Sequence, residues 1–190
     1  MRTKANSGGI FKMHSRNIRG LRGNTLEEMI NYTNNLYREK KLALVQKIPT
    51  SITPVEFNSK TKIITKAFFE QKSTVDYIGV VQGIPVCFDV KEISKKSLPL
   101  QNVHDHQIFF MKAFEEQRGI AFILVYFSSR GEVFYMPFKK LYEYYSISKK
   151  GGRKSIPYDE FDKSLIVANK NGFLVHYLEQ IKMALEGENA

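Results

Sequence analysis

Ser73-Thr74-Val75-Asp76-Tyr77-Ile78-Gly79 runs through an apolar stretch and Gln82-Gly83 to Cys87-Phe88-Asp89-Val90-Lys91-Glu92. Two adjacent strands meeting across a turn near Gln82-Gly83 put Asp76 at the start of the first and Asp89 with Lys91 on the second. Side chains alternate along a strand, so Asp89 and Lys91 share one face while Phe88 and Val90 point the other way into the core. Two carboxylates and an ammonium then converge. Hard oxygen ligands from two segments suit Mg²⁺, which keeps several waters and also takes a phosphate oxygen. A lysine beside such an ion can orient an attacking water or offset charge developing on a phosphorane.

Charged residues on a half-exposed hairpin can simply face water. Here Asp76 and Asp89 interrupt apolar strand text, where an unpaired carboxylate is costly. The arrangement Asp, hairpin, Asp-x-Lys resembles the outline of the PD-(D/E)xK nucleases. The composition points to a similar partner. The chain of 190 residues carries 29 Lys and Arg against 19 Asp and Glu, a formal charge of +10. Such a balance favours a polyanion, either nucleic acid or an anionic membrane surface. No apolar run approaches the ~20 residues that cross a bilayer, and the N-terminus lacks a signal-peptide apolar region, so a cytoplasmic protein with no membrane partner is expected. The single cysteine, Cys87, sits in strand text and reads as a buried structural thiol.

Residues 1–23 carry Arg2, Lys4, Lys12, Arg16, Arg19 and Arg22 with no acid, and read as a flexible basic arm able to order on phosphates. Residues 24–190 read as one domain. Thr25-Leu26-Glu27-Glu28 has the spacing of a capping box, which predicts a helix to about Lys40 with Leu26, Met29, Ile30, Thr33, Leu36 and Tyr37 on one buried face. Glu27 lies next to that face. It is either a favourable first-turn charge or a further acid for the metal site.

A short strand over Leu42–Ile48 leads into an insertion, about 49–72, that carries Lys60, Lys62, Lys66 and Lys72 among Ile63, Ile64, Phe68 and Phe69. So long an insertion between core strands reads as an ordered basic protrusion that reaches into a substrate, or as a flap packed on the sheet. Ser94 to Leu100, with Lys95 and Lys96, reads as a polar loop. A helix follows from about Asn102 to Arg118, with Gly119 at its C′ position and Gln107 beside its apolar stripe. His104 and His106, two apart on that helix, point about 200° around the axis from each other, which disfavours a zinc pair.

Ile120–Phe127 reads as a doubly buried strand and Glu132–Met136 as its hairpin partner. Pro137 opens a helix, Lys149 to Lys154 form a basic loop containing Lys150 and Arg153, Leu165–Val167 a short strand, and Phe173–Leu185 a final helix. The order predicts an α/β (α+β) fold, a mixed sheet flanked by helices, restriction-endonuclease-like, with the insertion as a protruding stalk.

Several longer words carry a resemblance: Arg22-Gly23 with Thr25-Leu26-Glu27, Lys66 through Tyr77, Leu98 through Gln107, and Gly152-Arg153-Lys154-Ser155-Ile156. On these the chain resembles the RecU family of Holliday-junction resolvases, from about Arg22 onward. The resemblance implies a homodimeric, Mg²⁺-dependent endonuclease that nicks two opposed strands of a four-way DNA junction. A strand-exchange recombinase is a candidate further partner, and Mn²⁺ a substitute ion. Thr74, Asp76, Asp89 and Gln107 match the family's metal-binding positions, and Lys91 its transition-state stabiliser. The family's stalk falls on the insertion. Where the family has Glu ahead of x-Lys, this chain has Asp89, one methylene shorter, which bears on metal distance and on the choice between Mg²⁺ and Mn²⁺. Arg19, Arg22, Lys60, Lys62, Lys66, Lys72, Lys95, Lys96, Lys150, Arg153 and Lys154 are the expected DNA contacts. The rival readings are a duplex-specific restriction-type nuclease, a non-catalytic junction-binding accessory protein, and an RNA or ribosome binder.

Overall fold

The computed structural model describes residues 25–49, 52–69 and 74–188. The basic arm with Arg19 and Arg22, and also Lys72, lie outside the described residues.

Helix α1, Leu26–Glu39, starts where the capping box places it: Glu28 N–H donates to the Thr25 hydroxyl and Thr25 N–H to the Glu28 carboxylate. Its buried residues Leu26, Ile30, Thr33, Asn34 and Tyr37 recur at helical spacing. Strand β1, Leu44–Lys47, follows, and then β2, Ile52–Asn58, and β3, Ile63–Phe69. The last two pair only with each other as an antiparallel ribbon. Ile52, Val55, Phe57, Ile63, Ile64 and Phe68 on it are all exposed, so the insertion is a ribbon and not a covering flap.

Strands β4, Tyr77–Val81, and β5, Ile84–Ile93, form the expected hairpin. Its two-residue turn has positive φ at both Gln82 and Gly83, the twist that matches antiparallel strands. After β5 the chain makes β6, Ser97–Pro99, then α2, Asp105–Glu116, β7, Ile120–Phe127, β8, Glu132–Pro137, α3, Phe138–Lys149, β9, Ser155–Pro157, β10, Ile166–Val167, and α4, Leu178–Glu188. The main sheet has the order β1-β4-β5-β7-β8-β10, with β5 and β7 parallel and the other pairs antiparallel.

One face of this sheet buries Cys87, Ile93, Ile123 and Val125 under Ile108 and Met111 of α2 and Leu141 and Tyr145 of α3. The other buries Tyr77, Phe88, Phe122 and Tyr135 under α1 and α4. The mixed sheet flanked by helices is therefore present, as three layers. On the second face Tyr77, Phe88, Phe122 and Tyr135 stack in succession across four strands, with centroids 4.7, 4.7 and 4.5 Å apart. Such pairs stabilise by roughly 0.5–1.5 kcal/mol each beyond burial, and they lock the register that sends Asp89 and Lys91 to the opposite face. Among the described residues no helix is long and apolar enough to cross a membrane.

Four local expectations are corrected. Ser94 to Leu100 is not wholly a loop: β6 pairs with β9, and Leu98 and Ile156, opposite each other in register, are both buried in the core that α2 and α3 cover. The final helix begins at Leu178, because Phe173, Val175 and Tyr177 pack on α1 in a non-helical segment whose backbone Thr33 and Ala168 satisfy. Pro137 is the N-cap of α3 and not its first residue. At the end of α2, Arg118 takes the left-handed position, while a Cβ on Gly119 would lie 2.2 Å from the Phe114 ring. Glycine at 119 answers to the space beside that ring, not to φ.

Candidate active site

Asp76 is tied at both ends of its residue. Its carbonyl accepts from Ile48 N–H just past β1 at 2.8 Å, and its carboxylate Oδ2 accepts from Val90 N–H on β5 at 2.9 Å. The acid is thereby held against the strand that carries the second acid.

Asp89 is fully buried, on the sheet face covered by α2. Its Oδ1 accepts from Gln107 Nε2 at 2.6 Å. Its Oδ2 is in ion-pair contact with the Lys91 ammonium. Burial pushes the Asp89 carboxyl up from its ordinary 3.8; the Lys91 ammonium opposes this, the Asp76 carboxylate adds to it, and the group ends at about 7.

Lys91, with a side chain 14% exposed, also lies 3.4 Å from Gln107 Oε1. That oxygen accepts in addition from His104 N–H at 3.0 Å. A backbone N–H can only donate, so the Gln107 carbonyl must face it and the NH₂ must face Asp89. Gln107 thus fastens the first turn of α2 to both charged groups of β5.

The structure brings Asp76, Asp89, Lys91 and Gln107 together. Thr74 is exposed, two residues ahead of Asp76. Glu27 has another described partner: it forms an ion pair with Lys47 at the end of β1, where both groups are about half exposed, and Lys47 is opposite Tyr77 in register. Nothing in the spacing signals this pairing, since residues on a helix and on a strand twenty positions on carry no mutual periodicity.

His104 is the N-cap of α2 and not part of the helix, so the expected 200° separation fails: the imidazoles of His104 and His106 stack at 5.4 Å. Among the described residues no group of three or more His, Cys, Asp and Glu side chains could hold a metal ion. The oxygen set is two carboxylates, those of Asp76 and Asp89, with the amide oxygen of Gln107 beside Lys91. Such a set fits a hard cation that retains waters. Asp89 Oδ2, fully buried and already against the Lys91 ammonium, is an oxygen in an environment that favours a positive charge beside it.

Lys60, Lys62 and Lys66 are exposed on the β2-β3 ribbon, and Lys95, Lys96, Lys150, Arg153 and Lys154 are exposed around the β6-β9 ladder. That ladder, which the sequence reading missed, joins two basic segments: Lys96 C=O accepts from Tyr158 N–H and Lys154 C=O from Leu100 N–H. Asp105 completes the connection by accepting from Tyr145 and from Lys149, whose hydrogen bonds hold its carboxyl below the usual range. The basic loop after α3 is therefore anchored at the helix end that carries Gln107.

A solved structure titled as Archaeoglobus fulgidus Hjc, a Holliday junction resolvase from an archaeal hyperthermophile, superposes with TM-score 0.41 at 10% identity, covering 70% of this chain and 90% of that one, too slight a likeness to carry an argument. Three curated relatives bear the name Holliday junction resolvase RecU. The one from Oceanobacillus iheyensis is 39% identical over 142 residues, covering 73% of this chain and 72% of its own. That from Streptococcus sanguinis is 44% identical over 141 residues, covering 72% and 69%. That from Streptococcus gordonii is 40% identical over 172 residues, covering 87% and 84%. The model of the family described as Recombination protein U matches residues 21–183, across the hairpin that bears Asp76, Asp89 and Lys91, and the chain belongs to the RecU family.

Proposed function

We propose that this chain is a divalent-metal-dependent endonuclease that resolves four-way DNA junctions in recombination by paired nicks, acting as a homodimer with Mg²⁺. The observation that carries the chemistry is the buried Asp89 held by Lys91 and Gln107 beside Asp76. The family and the names of its members supply the substrate class.

A bound divalent ion would supply Lewis acidity to the phosphate and a water of lowered pKa. Asp76 and Asp89 would hold it, with Gln107 and Thr74 as further oxygen donors. The Val90 N–H bond keeps the Asp76 carboxylate in place before anything binds, and the aromatic stack behind β5 keeps Asp89 from retreating. The Lys91 ammonium offsets charge that develops on the pentacovalent phosphate. Exposed Lys60, Lys62 and Lys66 on the ribbon and Lys95, Lys96, Lys150, Arg153 and Lys154 around the β6-β9 ladder grip backbone phosphates; such contacts fix position without reading bases.

The decisive experiment incubates the protein with a synthetic four-way junction and with linear duplex in Mg²⁺, Mn²⁺ or EDTA. Two symmetric nicks in the junction with either ion, and none in EDTA, are expected. An uncut junction, or cutting in EDTA, overturns the proposal.

Two further results are expected. Asp89 must be ionised to hold a cation, and the fold favours its neutral form below about 7. Its raised pKa means the metal-free protein loses stability from this group as pH rises from ~4 towards ~7, where the folded state binds more protons than the unfolded chain. Metal reverses that loss, so the gain in Tm on adding Mg²⁺ should be larger at pH 8.5 than at pH 6, with close to one proton released per ion at the lower pH. An equal gain at both would remove Asp89 from the ligand set. Separately, replacing residues 52–69 by a short Gly-Ser linker should leave the metal-induced rise in Tm intact while the preference for junction over duplex falls on the order of tenfold or more. Unchanged preference would take the ribbon out of substrate selection.

A further inference from the structure

Three oxygens bound the buried end of the site, and their existing bonds show what sits among them. Asp89 Oδ1 is taken by Gln107 N–H, and one lone pair of Gln107 Oε1 by His104 N–H. What remains is Asp89 Oδ2 and the second lone pair of Gln107 Oε1. Lys91 Nζ meets both, in ion-pair contact with the first and 3.4 Å from the second.

We propose that in the metal-free protein the Lys91 ammonium occupies the place of the divalent ion, and that ion and lysine exchange there when metal loads. This rests on the metal site of the proposed function and concerns how that site fills.

Coexistence is unfavourable on physical grounds. A fully buried carboxylate with no counter-charge is strongly destabilising, and Lys91 is the cation in contact with Asp89. An ion entering beside those same oxygens would face the ammonium at contact distance, in a region where water screens little. One of the two must leave. The lysine can do so: it stands on a flexible four-carbon stem near the rim, while Asp89 is fixed by the strand. Gln107 needs no flip, because the lone pair that Lys91 vacates already points where the ion arrives. The ammonium released from Asp89 can then turn towards solvent, the side from which a phosphate would approach, so the group that stabilises the transition state is delivered only after loading. Bare protein then holds its lysine in reserve.

The test uses the full-length protein with Mg²⁺ or Mn²⁺ alone. Amine acetylation read by mass spectrometry reports whether Lys91 is withdrawn. Saturating Mg²⁺ should raise Lys91 modification several-fold, with Lys60 and Lys62 on the distant ribbon unchanged as internal standards. Unchanged or reduced labelling of Lys91 overturns the exchange. Lys91→Met keeps the length and removes the charge. Its affinity for Mn²⁺, followed by the spin-resonance signal of free ion on the plateau above pH 8, should be on the order of tenfold tighter than wild type. Equal or weaker affinity overturns the exchange as well. Failure of both proteins to bind Mn²⁺ removes the metal site itself, and the proposed function with it. Binding by wild type with no change at Lys91 removes only the exchange.

Discussion

Asp76→Asn and Lys91→Met should each lower junction cleavage by about 10³-fold or more while junction affinity stays within a few-fold of wild type. The two losses have different origins. Asp76 is one of two carboxylates available to a cation, and the amide of Asn keeps the oxygen that accepts from Val90 N–H at 2.9 Å while removing the charge. Alanine would be the poorer choice, since it leaves that strand N–H without its partner at a cost of about 1–3 kcal/mol and confuses chemistry with folding. On the proposed function, Lys91 supplies the positive charge beside the reacting phosphate. Affinity should survive because, on the proposed function, binding is carried by phosphate contacts spread over the ribbon and the β6-β9 region, each contributing a modest share. Gel-shift titration and single-turnover cleavage on the same junction separate the two quantities. Parallel loss of both would mean that these residues build the grip or the fold.

Gly79→Ala should be the most destabilising single methyl in the sheet, by about 3 kcal/mol or more. A Cβ at 79 would lie 2.2 Å from the Leu44 carbonyl oxygen and 2.6 Å from Val45 Cα, backbone atoms of the neighbouring strand that cannot rotate aside. The strand would have to separate, and β1 connects α1 to the ribbon and holds Asp76 through Ile48. Gly83→Ala is the control. Nothing lies within 4 Å of its added methyl, so only the strain of φ +89° remains, about 1 kcal/mol. Denaturant midpoints should show the large drop for position 79 and the small one for 83. Comparable drops would mean that β1 yields easily, and hydrogen exchange at Val45 and Lys47 would then fail to report its loosening.

The central hairpin and its face assignment were legible because the signals were local. Alternation over Cys87 to Lys91 is a period of two, Gln-Gly is a turn dipeptide, and Thr-x-x-Glu caps a helix. What stayed hidden depends on distant partners. Three-residue strands such as β6 and β9 are too short to carry a period, and each exists because the other satisfies its backbone while Leu98 and Ile156 enter the core. Phe173 to Tyr177 show helical apolar spacing but are held out of the helix by bonds to Tyr37, Thr33 and Asn34 of α1. At the site, spacing placed the two acids and the lysine on one hairpin but could not foresee that Gln107 would present N–H to Asp89, which follows from the His104 backbone. Nor could it foresee that Glu27 would be claimed by Lys47.

The β2-β3 ribbon leaves the body between Ile48, whose N–H is bonded to the Asp76 carbonyl, and the short run that arrives at Asp76 itself. Both of its roots therefore end on one acid. On the proposed function, a branched duplex that engages the ribbon would do so on the two segments of chain that flank this acid, so that recognition and cutting would share one anchor.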